Sequence, residues 1–119
     1  MQKLEYDKFV FAINKIASRA KNFDIDSIYG IPRGGIVPAV YLAHLLKLPL
    51  VEKDFINETT LLVDDIADTG KTLITYNRLN CKIATIYYHK QSIIEPDIWI
   101  YEKRNDWILF PWETVQSTK

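Results

Sequence analysis

Apolar side chains at Phe9, Val10, Ile13, Ile16, Ala17 and Ala20 recur at steps of three and four residues, which predicts an amphipathic helix over about residues 6 to 22. The period changes at residue 27. The short apolar run SIYGI (27–31) is stopped by PRGG (32–35), whose proline and paired glycines continue neither a helix nor an inner strand, so a strand and then a tight loop are expected. IVPAVYLAHLL (36–46) is apolar almost all round and carries Pro38 in its first turn, where a missing N–H costs nothing; this predicts a buried helix. A second series repeats the order, with strands over LPLVEKDFI (48–56) and TLLVDDI (60–66), a loop over ADTGKT (67–72) and a short helix over LITYNRL (73–79). KIATIYY (82–88), DIWIY (97–101) and WILF (107–110), rich in β-branched and aromatic residues, read as further strands.

Strands alternating with helices predict an α/β fold: a mainly parallel, twisted sheet with helices on both faces. In such sheets ligands bind beyond the carboxyl ends of the strands, where both glycine-containing loops are expected. A chain of 119 residues predicts one domain over 1–119. Hydrophobic residues at 48% and charged residues at 25% exclude disordered, collagen-like and coiled-coil readings. The 15 basic and 15 acidic residues cancel, so nucleic acid is not expected as a partner. No apolar run reaches the roughly 18 to 20 residues that span a bilayer, and no membrane partner is expected. A single cysteine, Cys81, and an N-terminus without the order of a signal peptide point to the cytoplasm.

The chemistry concentrates in LLVDDIADTGKT (61–72). A hydrophobic strand runs into two adjacent acids, Asp64 and Asp65, which repel each other and lose hydration there unless a cation or hydroxyl donors compensate. A ribose diol with a magnesium ion supplies both. The following loop offers successive backbone N–H groups, the hydroxyls of Thr69 and Thr72, and Gly70 for close approach, which together form an anion cradle suited to a phosphate. The bland alternative is an acid-capped strand–turn–helix with Asp68 as cap. TGKT does not end a P-loop, because the glycine required five positions before Gly70 is Asp65, and GIPRGG lacks dinucleotide-binding spacing.

This stretch resembles the phosphoribosyl-pyrophosphate signature of type I phosphoribosyltransferases. IPRGGIVPAVYLAHLL (31–46) resembles the pyrophosphate-side loop and helix of the same family, nearest its xanthine–guanine (hypoxanthine) branch, and NDWILFPWE (105–113) resembles the purine-framing tail of that branch. The likeness runs from about residue 26 to 113. It implies transfer of the phosphoribosyl group to a 6-oxopurine with release of pyrophosphate. It further implies that Asp64 and Asp65 hold the ribose hydroxyls and, with Glu113 as a weaker candidate, the magnesium ion. It also implies that Asp68, Thr69, Gly70, Lys71 and Thr72 bind the 5′-phosphate and that Arg33 and Gly34 contact the pyrophosphate. On the base side it implies that Lys90 donates to the 6-oxo group, Trp107 stacks on the ring and the Ile108 backbone reads the exocyclic edge. The likeness assigns the catalytic work to Arg33, on pyrophosphate charge, and to Asp68, on the purine proton, as expectations. Each has a plainer alternative: Arg33 and Lys90 as solvated cations, Gly34 as a turn glycine, Trp107 as core.

The family usually inserts a long mobile hood before the signature strand, and here only FINETT (55–60) separates VEKD from LLVDD. The departure predicts a more open site with slower turnover, and a homo-oligomer in which a neighbour completes the region. Pro32 stands where the branch usually has serine. Two other classes compete with the enzyme: a sensing module that binds phosphoribosyl pyrophosphate or a nucleotide without turnover, and a structural subunit, which the complete DDIADTGKT loop argues against.

Overall fold

The structure, a computed structural model, describes residues 1–76 and 79–114. Four strands form one sheet in the order β2 (Ser27–Gly30), β3 (Thr60–Ala67), β4 (Lys82–His89) and β5 (Ile98–Lys103), and every neighbouring pair is parallel. Burial on both faces explains why β3 reads as an unbroken apolar run, Leu61–Leu62–Val63, and not as an alternation. The expected α/β class is therefore the observed one.

The faces are covered unequally. Helices α1 (Tyr6–Ala20) and α2 (Ile36–Leu46) pack on each other and on the same face, where Phe9, Ile13, Ile16 and Leu42 meet Ile28, Leu61, Val63, Ala84 and Ile98. The opposite face is closed by a four-residue helix, α3 (Lys71–Ile74), and by loops. There Leu73 and Tyr76 lie with Tyr29, Leu62 and Ile83. Helix α3 starts two residues before the predicted helix at 73, because the Ile74 N–H already bonds the Gly70 carbonyl (2.9 Å). Residues 77–78 of that predicted helix lie outside the described residues.

Two sequence readings need correction. The strand expected over 48–56 reduces to one parallel bridge, Leu50 to Ile28, followed by a 3₁₀ turn at Lys53–Phe55. Pro49 has no N–H for a ladder, and the polar Glu52, Lys53 and Asp54 end the pairing. The strand expected over 107–110 exists as β6 (Ile108–Leu109), but it leaves the main sheet and pairs in parallel with a strand the sequence did not announce, β1 (Gln2–Lys3). Gln2 N–H donates to the Trp107 carbonyl and Leu4 N–H to the Leu109 carbonyl, both at 2.8 Å. Leu4 is only 1% exposed, and Trp112 packs edge-on to Phe9 and stacks on Phe110 with centroids 5.0 Å apart. The first residues thus hold the aromatic tail against the body. Among the described residues no helix is long and apolar enough to cross a membrane.

Candidate active site

The acid pair sits where β3 outruns β2. Strand β2 ends at Gly30, opposite Val63, and Ile31 still donates to the Val63 carbonyl (2.8 Å), so Asp64 and Asp65 emerge beyond the last rung on that side while β4 continues on the other. The chain leaving β2 then folds over them. The Pro32–Arg33 peptide is cis, Arg33 is exposed, and a Cβ on Gly34 would run into the Asp65 carboxylate, so the turn and the acid pair approach as closely as a bare backbone permits.

Neither acid is at its ordinary proton affinity. Burial raises the Asp64 carboxyl well above the usual carboxylate range, and the neighbouring Asp65 charge raises it further, against the bond its Oδ1 accepts from Asp65 N–H (2.9 Å). Asp65 is raised too, first by burial and also by the Glu113 charge, while the Ile66 N–H donating to its Oδ1 (2.8 Å) pulls the other way. Tyr76, packed on Tyr29, has its phenol pushed up to about 12 by burial, then by the Tyr29 hydroxyl, with the Asp64 charge adding to it. Such a buried pair of like charges favours a divalent cation or hydroxyl donors. Among the described residues no three His, Cys, Asp or Glu side chains converge into a protein-only metal cage. That donor set fits magnesium, which is commonly held through one or two carboxylates plus substrate oxygens and water.

Past the acids the chain turns at Gly70, whose φ of 85° lies in the left-handed region and where a Cβ would meet Ser92 Oγ at 2.7 Å. The turn is pinned from outside by Ile93 N–H donating to the Thr69 carbonyl (2.9 Å), and from within by Lys71 N–H donating to Thr69 Oγ1 (3.3 Å). These residues enclose a cavity of about 90 Å³ lined by Asp64, Asp68, Thr69, Gly70, Lys71 and Thr72 among others. Every residue assigned from sequence to the phosphate loop is therefore in one place.

A second cavity of about 160 Å³ is lined by Asp65, Ile66, Asp68, Lys103, Trp107, Ile108, Phe110 and Glu113. Ile66 and Asp68 belong to both cavities. Trp107 is 47% exposed on this wall, so it is not ordinary core, whereas Ile108 and Phe110 beside it are buried. The pairing of β1 with β6 turns the Trp107 and Leu109 carbonyls toward β1 and hence the Ile108 backbone groups to the other edge. Glu113 reaches the same wall and accepts from Phe110 N–H (3.0 Å).

Lys90 is not brought to the site. It follows the end of β4, its side chain is 80% exposed, and Nζ lies 3.6 Å from Glu102 Oε2. Two residues the sequence did not single out reach Asp68 Oδ1: Lys103 Nζ at 3.3 Å and Gln91 Nε2 at 3.1 Å. The signal for Lys103 was its place at the carboxyl end of a parallel strand.

The sequence profile of the phosphoribosyl transferase domain matches residues 49–117. A xanthine-guanine phosphoribosyltransferase of Desulfotalea psychrophila is 33% identical over an alignment spanning 73% of this chain and 69% of that protein. One from Nitratidesulfovibrio vulgaris (strain Hildenborough) is also 33% identical, over 73% of this chain and 68% of its own. Among solved structures, a purine phosphoribosyltransferase from Pyrococcus horikoshii superimposes with a TM-score of 0.86 at 28% identity, covering 99% of this chain and 97% of that one, which leaves little room in that neighbour for an inserted hood. The architecture, the matched profile and the relatives agree, and the chain belongs to the phosphoribosyl transferase domain family.

Proposed function

We propose that this chain transfers the phosphoribosyl group of phosphoribosyl pyrophosphate to a 6-oxopurine and releases pyrophosphate. The observation that carries the reading is the meeting of two cavities at Asp68, one walled by the phosphate loop and the other by Trp107 and Ile108, with the acid pair between them. A sugar phosphate in the first and a purine in the second would meet near Asp68. Relatives named for xanthine and guanine, both 6-oxopurines, support the choice of base.

In this reading a purine ring nitrogen forms a bond to C1 of the ribose as the bond from C1 to the pyrophosphate oxygen breaks, and the nitrogen's proton passes to Asp68 or to water. Asp64 and Asp65 hold the ribose hydroxyls, the Thr69–Thr72 amides and hydroxyls hold the 5′-phosphate, and Trp107 stacks on the base with the Ile108 backbone at its edge. Arg33 and Gly34 meet the pyrophosphate, and Arg33 offsets the charge that builds on it. Asp64 and Asp65 would hold a magnesium ion, which would supply further charge neutralisation. Little covalent help is required, so the work is positioning and electrostatics.

The pairing of β1 with β6, which joins the opening residues to the purine wall, supports treating residues 1–119 as one domain. With only a 3₁₀ turn and loop over 47–59, closure by a second copy of the chain is part of the proposal, and light scattering at about 14 kDa with full activity would remove that part.

The deciding assay measures pyrophosphate released from phosphoribosyl pyrophosphate and magnesium with guanine, xanthine, hypoxanthine or adenine. Release with the oxo bases is expected, as is loss of phosphoribosyl-pyrophosphate affinity by about 2 kcal/mol or more in the double variant Asp64→Asn, Asp65→Asn. Tight magnesium-dependent binding with no release for any base would turn the reading toward a sensing module.

A further inference from the structure

The cavity assigned to the purine is also a place for water. Its volume of about 160 Å³ has room for several waters at roughly 30 Å³ each, and the charged groups of Asp65, Asp68, Lys103 and Glu113 on its lining give them partners. Trp107 on its wall is 47% exposed, so the cavity stays open to solvent until a base is seated there.

Asp68 lies on the lining shared by this cavity and the phosphate cavity. Lys103 Nζ (3.3 Å) and Gln91 Nε2 (3.1 Å) both donate to its Oδ1, which fixes how the carboxylate is turned, yet the side chain remains 45% exposed. Lys103 ends β5 and Gln91 follows β4, so two strand ends hold one acid in place. A carboxylate anchored in this way can take a proton from a water as readily as from a ring nitrogen. Breaking the bond between sugar and pyrophosphate builds positive charge on C1, and the carboxylates around the junction stabilise that charge whichever nucleophile follows.

Resting on the transfer reading above, we infer that this chain has a second activity: while its purine cavity is empty it hydrolyses phosphoribosyl pyrophosphate to ribose 5-phosphate and pyrophosphate. The oxygen of a water in the cavity forms a bond to C1 as the bond from C1 to the pyrophosphate oxygen breaks, and that electron pair leaves on pyrophosphate. The water's proton passes to Asp68 and from there to solvent. A seated purine displaces the water and takes over its role, so the two reactions compete for one position and occupancy of the cavity decides between them.

The test incubates the chain with phosphoribosyl pyrophosphate and magnesium, without base, in water enriched in oxygen-18, beside a blank without protein. Ribose 5-phosphate and pyrophosphate are expected in equal amounts, several-fold above the blank, with the pyrophosphate unlabelled, because water attacking phosphorus would leave its oxygen there. A guanine analogue with carbon in place of the attacking nitrogen, 9-deazaguanine, should slow release tenfold or more at a concentration that calorimetry shows to be saturating. Asp68→Asn should slow it by a similar factor with an unchanged melting curve. Pyrophosphate released with guanine but not above the blank without base would overturn the inference and leave the transfer reading standing. Labelled pyrophosphate, or hydrolysis that the bound analogue or Asp68→Asn leaves untouched, would overturn it equally. No release under any condition would take the transfer reading with it.

Discussion

Asp64→Asn should make the ligand-free protein more stable while crippling it as a binder. Asp64 is 9% exposed, and its carboxyl is raised by burial and then by the adjacent Asp65 charge. The folded chain therefore holds a proton here more tightly than the unfolded chain does. Between the ordinary carboxylate pKa and the raised folded value the native state binds more protons, so this group's contribution to stability is present at low pH and is lost as pH rises through that window. Above that window a poorly solvated like-charge pair remains. The asparagine oxygen can still accept from Asp65 N–H, now at 2.9 Å, and its NH₂ can donate to the Asp65 carboxylate where a second carboxylate only repels. Relief of a poorly matched buried polar group is worth about 1 to 3 kcal/mol. With an unfolding entropy of roughly 2.1 cal/mol/K per residue over 119 residues, each kcal/mol moves Tm by about 4 °C, so a rise of about 4 °C or more is expected above that window, shrinking on acidification. Losing one charge-assisted bond to a ribose hydroxyl should weaken magnesium-dependent phosphoribosyl-pyrophosphate binding by about tenfold or more. Differential scanning calorimetry from pH 4 to 8, paired with titration calorimetry, reads both effects. A variant that melts lower at the alkaline end of the scan, or whose advantage over the unaltered chain is independent of pH, would show that the acid pair is not strained by its burial.

Three further outcomes follow from the same geometry. Gly34→Ala should weaken phosphoribosyl-pyrophosphate binding and lower stability by about 1 to 3 kcal/mol, because its Cβ displaces the Asp65 carboxylate; titration and melting curves like those of the unaltered chain would contradict this. Trp107→Ala should raise KM for the base by the equivalent of about 1 to 3 kcal/mol with little change in Tm, whereas Trp112→Ala, packed on Phe9 and Phe110, should lower Tm by losing aromatic pairs worth about 0.5 to 1.5 kcal/mol each; an exchange of the two phenotypes would refute the assignment of one to ligand and the other to core. Leu4→Ala should cost about 2 to 5 kcal/mol and raise KM for the base more than for phosphoribosyl pyrophosphate, since β1 supports the purine wall; steady-state kinetics in which both rise equally would argue against that coupling.

The signature strand and loop were legible because composition and chemistry agree there: an apolar strand doubly buried in a parallel sheet, two acids at its end, and a glycine where the backbone needs positive φ. Helix α1 was legible from its three- and four-residue spacing. The 48–56 stretch misled because Leu48, Leu50 and Val51 carry a strand-like apolar content, while the proline between them permits only one bridge at the sheet edge. Strand β1 is two residues long, too short for any periodicity, and is fixed by partners more than a hundred positions away. Lys90 and Lys103 differ in a similar way. Which of two lysines enters a cavity depends on the register of β4 against β5, and register is a property of the pair of strands.

Pairing the opening residues with residues 108 and 109 also fixes the order in which the chain can become functional as it is made. The β2–β3 ladder, the turn over Asp65 and the Gly70 turn are built from residues up to about 93, and only Asp68 takes a later partner, Lys103, so most of the sugar-phosphate side can take shape before the purine wall. The purine wall cannot form until the last strand has emerged and captured the first, and until then Gln2 to Leu4 wait with their backbone donors unpaired. A nascent chain of which only about the first 95 residues have cleared the ribosome would therefore carry the acid pair and the Gly70 turn without the Trp107 wall.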